Sequence, residues 1–379
     1  MDLQLIGSID AGDGPSAFGI QNRWFALWRK GGLFGTPKLS LHALDDLQPI
    51  RTVPMGGKVP GDSSHSASMK YLAVDPLASR IAVCWSAGAD ILAPAFELNI
   101  HLYDHASNRY VPFQGFPTNS PGQKGTECAA FSPSGRMLAA PSHIGDVVHL
   151  IDVDSVLDPN REASPVPRLG SVGCGGSLGI AWSPDGKLLA HFCDAVSGPC
   201  LEFWRLPNGD DPDHIQAENL GRVRVPGKTV GFGQSRGEVA FSPDSDLVAV
   251  GGLKKPNAIR LYSVARGEYV AESAPLDREG EVTRLAFSPD GLQVLSGHHN
   301  GSVVVWRLEG IDQPSLVMAD SASLGGAIIG LEVDRDAQML WIASASNKKI
   351  DLHTAALPGF RAGLLTGLGL NEFKAALAT

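Results

Sequence analysis

Four segments carry residue types at spacings that suggest chemistry. Gly221-Arg222-Val223-Arg224-Val225-Pro226-Gly227-Lys228-Thr229 ends like a phosphate-cradling loop. That loop needs four residues between its glycines and a helix behind it to aim backbone N–H groups. Here residues 222–226 intervene and no helical pattern follows, so the segment reads as a loop between strands. His191, Cys193 and Cys200 supply three ligands of the kind zinc takes, with Cys174 or Asp194 as a fourth. Small thiols also pack well in β cores, and packing is the expected role. Asp152-Val153-Asp154 with Asp158, and Asn208-Gly209-Asp210-Asp211-Pro212-Asp213, are dense in carboxylates. Neither has the glycine and closing Glu of a calcium loop, and both read as acidic surface turns. No metal and no cofactor are expected, and no Gly-x-Ser-x-Gly elbow sits between a strand and a helix.

The elements that would position such residues are repeats. Phe131-Ser132-Pro133-Ser134-Gly135, Trp182-Ser183-Pro184-Asp185-Gly186, Phe241-Ser242-Pro243-Asp244-Ser245 and Phe287-Ser288-Pro289-Asp290-Gly291 each read as a strand end and a type I turn. Pro pre-sets φ, Ser bonds back to the chain, and Gly closes three of the four. Weaker copies stand at Val74-Asp75-Pro76 and Val333-Asp334-Arg335-Asp336. A short apolar strand follows each turn. A further strand then begins at Leu39, Ile100, Val148, Leu201, Ile259, Val303 and Ile350, at intervals of 44 to 61 residues. Its first and third positions are always apolar and its second is polar in all but Val304, the period of a strand. His298-His299-Asn300-Gly301 is a hairpin turn.

This pattern predicts an all-β chain: a seven-bladed β-propeller of four-stranded blades. The seventh copy lacks an obvious fourth strand, while Leu3 to Ile9 is a strand without a blade. Residues 3–10 are therefore expected to complete blade seven, closing the last blade with the N-terminal strand. Residues 1–357 form the expected single domain. Residues 358–379 form a tail bearing Leu364, Leu365, Leu368, Phe373 and Leu377, with a short helix beginning near Asn371-Glu372.

The best copy, Leu285-Ala286-Phe287-Ser288-Pro289-Asp290-Gly291 continued by Ser296 to Trp306, resembles the WD40-repeat family, and the resemblance covers about Gly14 to Leu357. The repeats are degenerate. The family's closing Trp-Asp appears nowhere, with Trp204-Arg205 and Trp306-Arg307 in its place. Its Gly-His dipeptide is missing, and Gly297-His298 is assigned to the turn between strands. The Asp-His-Ser-Trp hydrogen-bond network of many family members is accordingly not expected. In the family, loops entering the innermost strands gather on one face. Here they are long, rich in Gly and Ser, and carry Lys58, Lys70, Lys124, Arg168, Lys228 and Arg236.

The resemblance implies a non-catalytic scaffold that binds a protein or peptide partner, with those six residues as the candidate binding positions. One alternative is a metal-dependent lactonase or hydrolase with a central site. Its scattered candidates are Glu97, Asn99, Glu127, Asp194, Glu238 and Asn257. Another is an obligate propeller subunit of a larger assembly. With 31 basic against 40 acidic residues and a net charge of −9, nucleic acid is not an expected partner. No apolar run is long enough for membrane insertion, and Met1-Asp2-Leu3-Gln4 does not open like an export signal. Five irregularly spaced cysteines suit reduced thiols in the cytoplasm.

Overall fold

The Ser-Pro turns fold as their chemistry dictates. The fourth residue of each donates its N–H to the Ser carbonyl: Gly135 to Ser132, Gly186 to Ser183, Ser245 to Ser242 and Gly291 to Ser288, each at 2.9 Å. That fourth residue is left-handed, at φ +72° for Gly135 and +67° for Ser245. The Ser hydroxyl then accepts the N–H five residues on, from Met137, Leu188, Leu247 and Gln293. In the weaker copy Asp75 takes over the role, its carboxylate accepting the N–H of Ser79 and Arg80. Each turn thus fixes where one strand ends and the next begins.

The computed structural model describes residues 1–10, 16–29, 38–55, 68–87, 95–118, 124–126, 128–142, 147–158, 160, 168–170, 174–195, 197–227, 237–253, 258–274, 280–309, 315–336 and 338–357. The chain opens with β1 (Gln4–Asp10). Blade one is β2 (Ser16–Gly19), β3 (Trp24–Arg29), β4 (Lys38–Ala43) and β5 (Pro49–Pro54). Blade two is β6 (Ser68–Val74), β7 (Arg80–Ala87), β8 (Ala95–Asp104) and β9 (Arg109–Thr118), with the short β10 (Lys124–Gly125) also on β7. Blade three is β11 (Ala130–Phe131), β12 (Met137–Pro141), β13 (Val147–Asp152) and β14 (Arg168–Gly170), with α1 (Val153–Leu157) after β13. Blade four is β15 (Cys174–Trp182), β16 (Leu188–Ala195), β17 (Gly198–Arg205) and β18 (Glu218–Arg224). Blade five is β19 (Glu238–Phe241), β20 (Leu247–Gly251), β21 (Arg260–Ser263) and β22 (Glu268–Glu272). Blade six is β23 (Val282–Phe287), β24 (Gln293–His298), β25 (Ser302–Glu309) and β26 (Ser315–Ser323). Blade seven is β27 (Ala327–Asp334), β28 (Met339–Ser346) and β29 (Lys349–Ala356), completed by β1.

These seven antiparallel sheets make the fold a seven-bladed β-propeller. The predicted clasp is present: β1 pairs with β29, from Gln4 opposite Thr354 to Asp10 opposite Lys349. The chain divides into two compact units. One holds Met1–Asp10, Gly198–Leu201 and Gly221–Thr379; the other holds Ala11–Ser197 and Glu202–Leu220. Within the second, Trp24, Leu39, Leu41, Leu72, Ile81 and Tyr103 join blades one and two in one core. Within the first, Leu261, Leu285, Phe287 and Trp306 join blades five and six.

The alternation in the third strand of each blade has a different meaning from that of a half-solvated strand. Its polar second position is buried in Ser40, His101, His149, Glu202 and Arg260. Each third strand lies inside a sheet whose two faces are both covered, so period two here separates two packed faces rather than core from water. The tail, residues 358–379, lies outside the described residues.

Candidate functional site

The six basic positions divide as follows. Lys58, Lys228 and Arg236 lie outside the described residues. Lys70 falls within β6, at the register shift between Met69, opposite Trp85, and Tyr71, opposite Cys84. Lys124 opens β10 opposite Ala87. Two of the six are therefore brought to the same end of β7, in strands rather than in the loop to which spacing assigned them. Arg168 is exposed at the start of β14, opposite His149, on blade three's outer strand and not before an innermost one. Its charge, after burial, helps hold His149 down at a pKa of about 4.

The other segments singled out for chemistry are built into the framework. The loop-like glycine segment is strand β18 as far as Arg224, and Lys228 and Thr229 lie outside the described residues. His191 Nε2 is 2.9 Å from the Ser177 hydroxyl, which also meets the Cys128 thiol at 3.3 Å. The His191 ring stacks on Trp204. Cys84, Cys128, Cys193 and Cys200 are buried. Among the described residues no three His, Cys, Asp or Glu side chains gather to hold a metal. Asp152 caps α1 by accepting the Ser155 N–H, so the first carboxylate run is a helix start. Asp210 accepts from the Ser134 N–H at 3.0 Å, and Asp211 pairs with His214 at 3.0 Å and Arg136 at 3.6 Å. These carboxylates join the turns of blades three and four rather than standing free on the rim.

Neighbouring turns in this unit are joined by directed bonds elsewhere too. Asn22 and the Trp24 indole N–H donate to the Ala78 carbonyl, each at 3.0 Å. Arg80 donates to the Gly135 carbonyl at 2.9 Å and pairs with Asp154. The Trp182 indole N–H donates to the Ala130 carbonyl. These bonds tie each turn to that of the neighbouring blade.

Of the carboxylates considered for a central site, Glu238 does reach an innermost strand. In the first unit the outer strands β22 and β26 are largely exposed, which leaves β19, β23 and β27 innermost. There Arg284 of β23 pairs with Glu238 of β19 at 3.0 Å, both largely buried. Glu332 of β27 joins them. Protein crowding around its solvent-reachable carboxyl raises its pKa to about 7; Arg284 opposes the rise and Glu238 adds to it. A guanidinium paired with Glu238 and within electrostatic reach of Glu332 neutralises charge that a divalent ion would need. Asp194 lies on β16, while Glu127 and Asn257 lie outside the described residues. Glu97 and Asn99 lie on β8, a third strand. Sequence reasoning passed over Arg284 and Glu332, although a charge inside an innermost strand is itself a signal.

Blade six corrects a second expectation. The Trp306 indole N–H donates to the Ser296 hydroxyl at 2.8 Å. That hydroxyl meets His298 Nε2 at 2.7 Å, and His298 Nδ1 donates to the Gly280 carbonyl at 2.8 Å. All three side chains are buried. A Trp-Ser-His network therefore exists, because His298 ends β24 instead of standing in the turn. Residues 275–307 match the family described as WD domain, G-beta repeat. Blade six is a WD40 repeat. It is one of the seven blades of the propeller, and the family match is to this blade.

Known proteins resemble the chain over a short stretch of sequence or in fold. Over 70 residues the chain is 33% identical to Protein Atg16l2 of Mus musculus, a match spanning 18% of this chain and 11% of that protein. A chain of a structure described as Crystal Structure of Mitotic Checkpoint Complex superposes with a TM-score of 0.62 at 15% identity, covering 93% of this chain and 92% of that one. The structure of U3-55K gives a TM-score of 0.63 at 12% identity, covering 94% and 98%. At such identities the likeness to these two structures is one of fold. No helix among the described residues is long and apolar enough to cross a membrane.

Proposed function

We propose that this WD40-type propeller is a non-catalytic interaction scaffold that binds a protein or peptide partner through the face of its interblade loops. The observation that carries the reading is the placement of Lys70 and Lys124 at one end of β7, in a chain of net charge −9. Two lysines at one blade end, in a chain of acidic balance, suit an acidic or phosphorylated segment. Lys58, Arg168, Lys228 and Arg236 extend the same candidate set. One of the fold neighbours belongs to a structure described as a complex, which suits a scaffold. Residues 1–357 act as one domain in this reading, and the five irregularly spaced cysteines suit the cytoplasm.

The test is recovery of partners by mild crosslinking of the native chain, compared with a Lys70→Glu/Lys124→Glu double variant. The reading expects defined protein partners that the double variant loses while its thermal unfolding is unchanged. Recovery of the chain alone, or of the same partners with the double variant, overturns it.

A further inference from the structure

The segment that ends like a phosphate loop is instead a strand at the edge of its sheet. β18 is the outer strand of blade four, with β17 on one side and no described strand on the other. Its two halves differ. Glu218 pairs with Arg205 at 3.0 Å, and the Asn219 amide donates to Glu202 at 2.9 Å. Gly221 follows at φ +102°, a conformation that glycine takes readily and other residues do not. Beyond it stand Arg222 and Arg224, both exposed, with half-buried Val223 between them. Val225 is buried, and its N–H donates to the Pro199 carbonyl at 2.9 Å, which anchors the end of the basic half.

Alternate residues of a strand share a face, so Arg222 and Arg224 present two cations about 7 Å apart. Same-face side chains on any strand laid beside β18 have the same spacing. An outermost strand also turns backbone N–H and C=O groups toward its far side. The other outer strands offer an anion less. β5, β9 and β14 have one cation each, Arg51, Arg109 and Arg168, and β9 also has Pro112 and Pro117. Arg51 is taken up by the Tyr103 hydroxyl and the His105 carbonyl. β22 carries Glu268 and Glu272, and the only charged residues of β1 and β26 are Asp10 and Asp320.

We infer that β18 receives an acidic, extended segment of a partner protein as a fifth strand of blade four. The partner's main chain pairs with the edge of β18, and carboxylates on its alternate residues meet Arg222 and Arg224. Main-chain pairing sets the register, and the two arginines select for acid. Neither Lys70 nor Lys124 takes part.

Fluorescence anisotropy of the full chain tests this, with a labelled peptide of alternating Glu and Val, about as long as β18, as the probe. Saturable binding is expected, weakened roughly five-fold or more by Arg222→Gln/Arg224→Gln. Hydrogen exchange within residues 218–225 is expected to slow when the peptide saturates the chain, because added main-chain bonds protect the edge. Lys70→Glu/Lys124→Glu is expected to bind the peptide as the parent chain does, which keeps this outcome separate from that of the loop-face test. If the Gln variant fails to fold, exchange in the parent chain decides. No binding, unchanged binding by the folded Gln variant, loss of binding in the Lys70/Lys124 variant, or unslowed exchange within residues 218–225 each overturn the inference. So does a Gln variant that self-associates while the parent chain leaves the peptide unbound, which would assign the two arginines to guarding an open edge.

Discussion

Ser296→Ala is the sharpest test of the blade-six network. Ser296 is fully buried and joins two side chains that are themselves buried, Trp306 and His298. Removing its oxygen leaves the Trp306 N–H without its acceptor and His298 Nε2 without its donor. A buried polar group left unmade costs about 1–3 kcal/mol, so the variant is expected to lose about 2–4 kcal/mol. Trp306→Phe removes the indole donor beforehand. In that background Ser296→Ala breaks only the bond to His298 and is expected to cost about 1–2 kcal/mol. The assay is urea unfolding by circular dichroism on the four proteins of the cycle, with equal slopes required before free energies are compared. The cavity left by Phe cancels in the cycle. A coupling energy near zero would refute the claim that Ser296 links the two rings, whatever either single change costs.

Two other expectations follow from the same bonds and burial. Ser245 stands where the other three Ser-Pro turns have Gly, at φ +67°, with a buried hydroxyl that finds no partner. Ser245→Gly is expected to stabilise by about 1 kcal/mol, a gain a thermal melt will show; an unchanged or lower midpoint would mean the position is unstrained. His101 and His149 are held neutral by burial, each with its pKa lowered from 6.5 to about 4. The unfolded chain binds those protons first, so the stability they contribute is complete above pH 6.5 and is lost as pH falls toward 4, by about 3 kcal/mol each. Glu332 works in the opposite sense, so the comparison that isolates the effect is His149→Leu. That variant should lose stability less steeply between pH 6.5 and 4 than the parent chain, and parallel curves would contradict the assignment.

The sequence revealed the fold well because propeller blades announce themselves locally. Ser132, Ser183, Ser242 and Ser288 each write a strand end, a turn and a strand start into a few residues. Leu39 through Ile350 mark the third strands at near-regular intervals. The clasp was legible by elimination, since Leu3 to Ile9 had no blade and blade seven lacked a strand. What escaped notice was set by distance in sequence. Asp210 reads as one more acidic loop residue until the Ser134 turn, 76 positions earlier, is found beside it. Arg284 and Glu238 are 46 apart. His298 was misplaced by a single strand boundary, and that one slip hid the Trp-Ser-His network. The candidate binding positions were legible as charges only: Lys70 and Lys124 came together through β7, which pairs with both of their strands.

The β1–β29 clasp also sets an order in time. Ser8 donates to Asp351, a partner 343 positions later. At roughly 5–20 residues per second, the first strand leaves the ribosome on the order of 20–70 s before its partner exists. For that interval Gln4–Asp10 is an unmatched β edge waiting on a nascent chain, while blades one to six can already form. Completion of the last blade is thus a late, long-range event. A ribosome stalled before residue 349 would carry a chain with most of its blades and no closure, open to whatever strand or chaperone reaches that edge first.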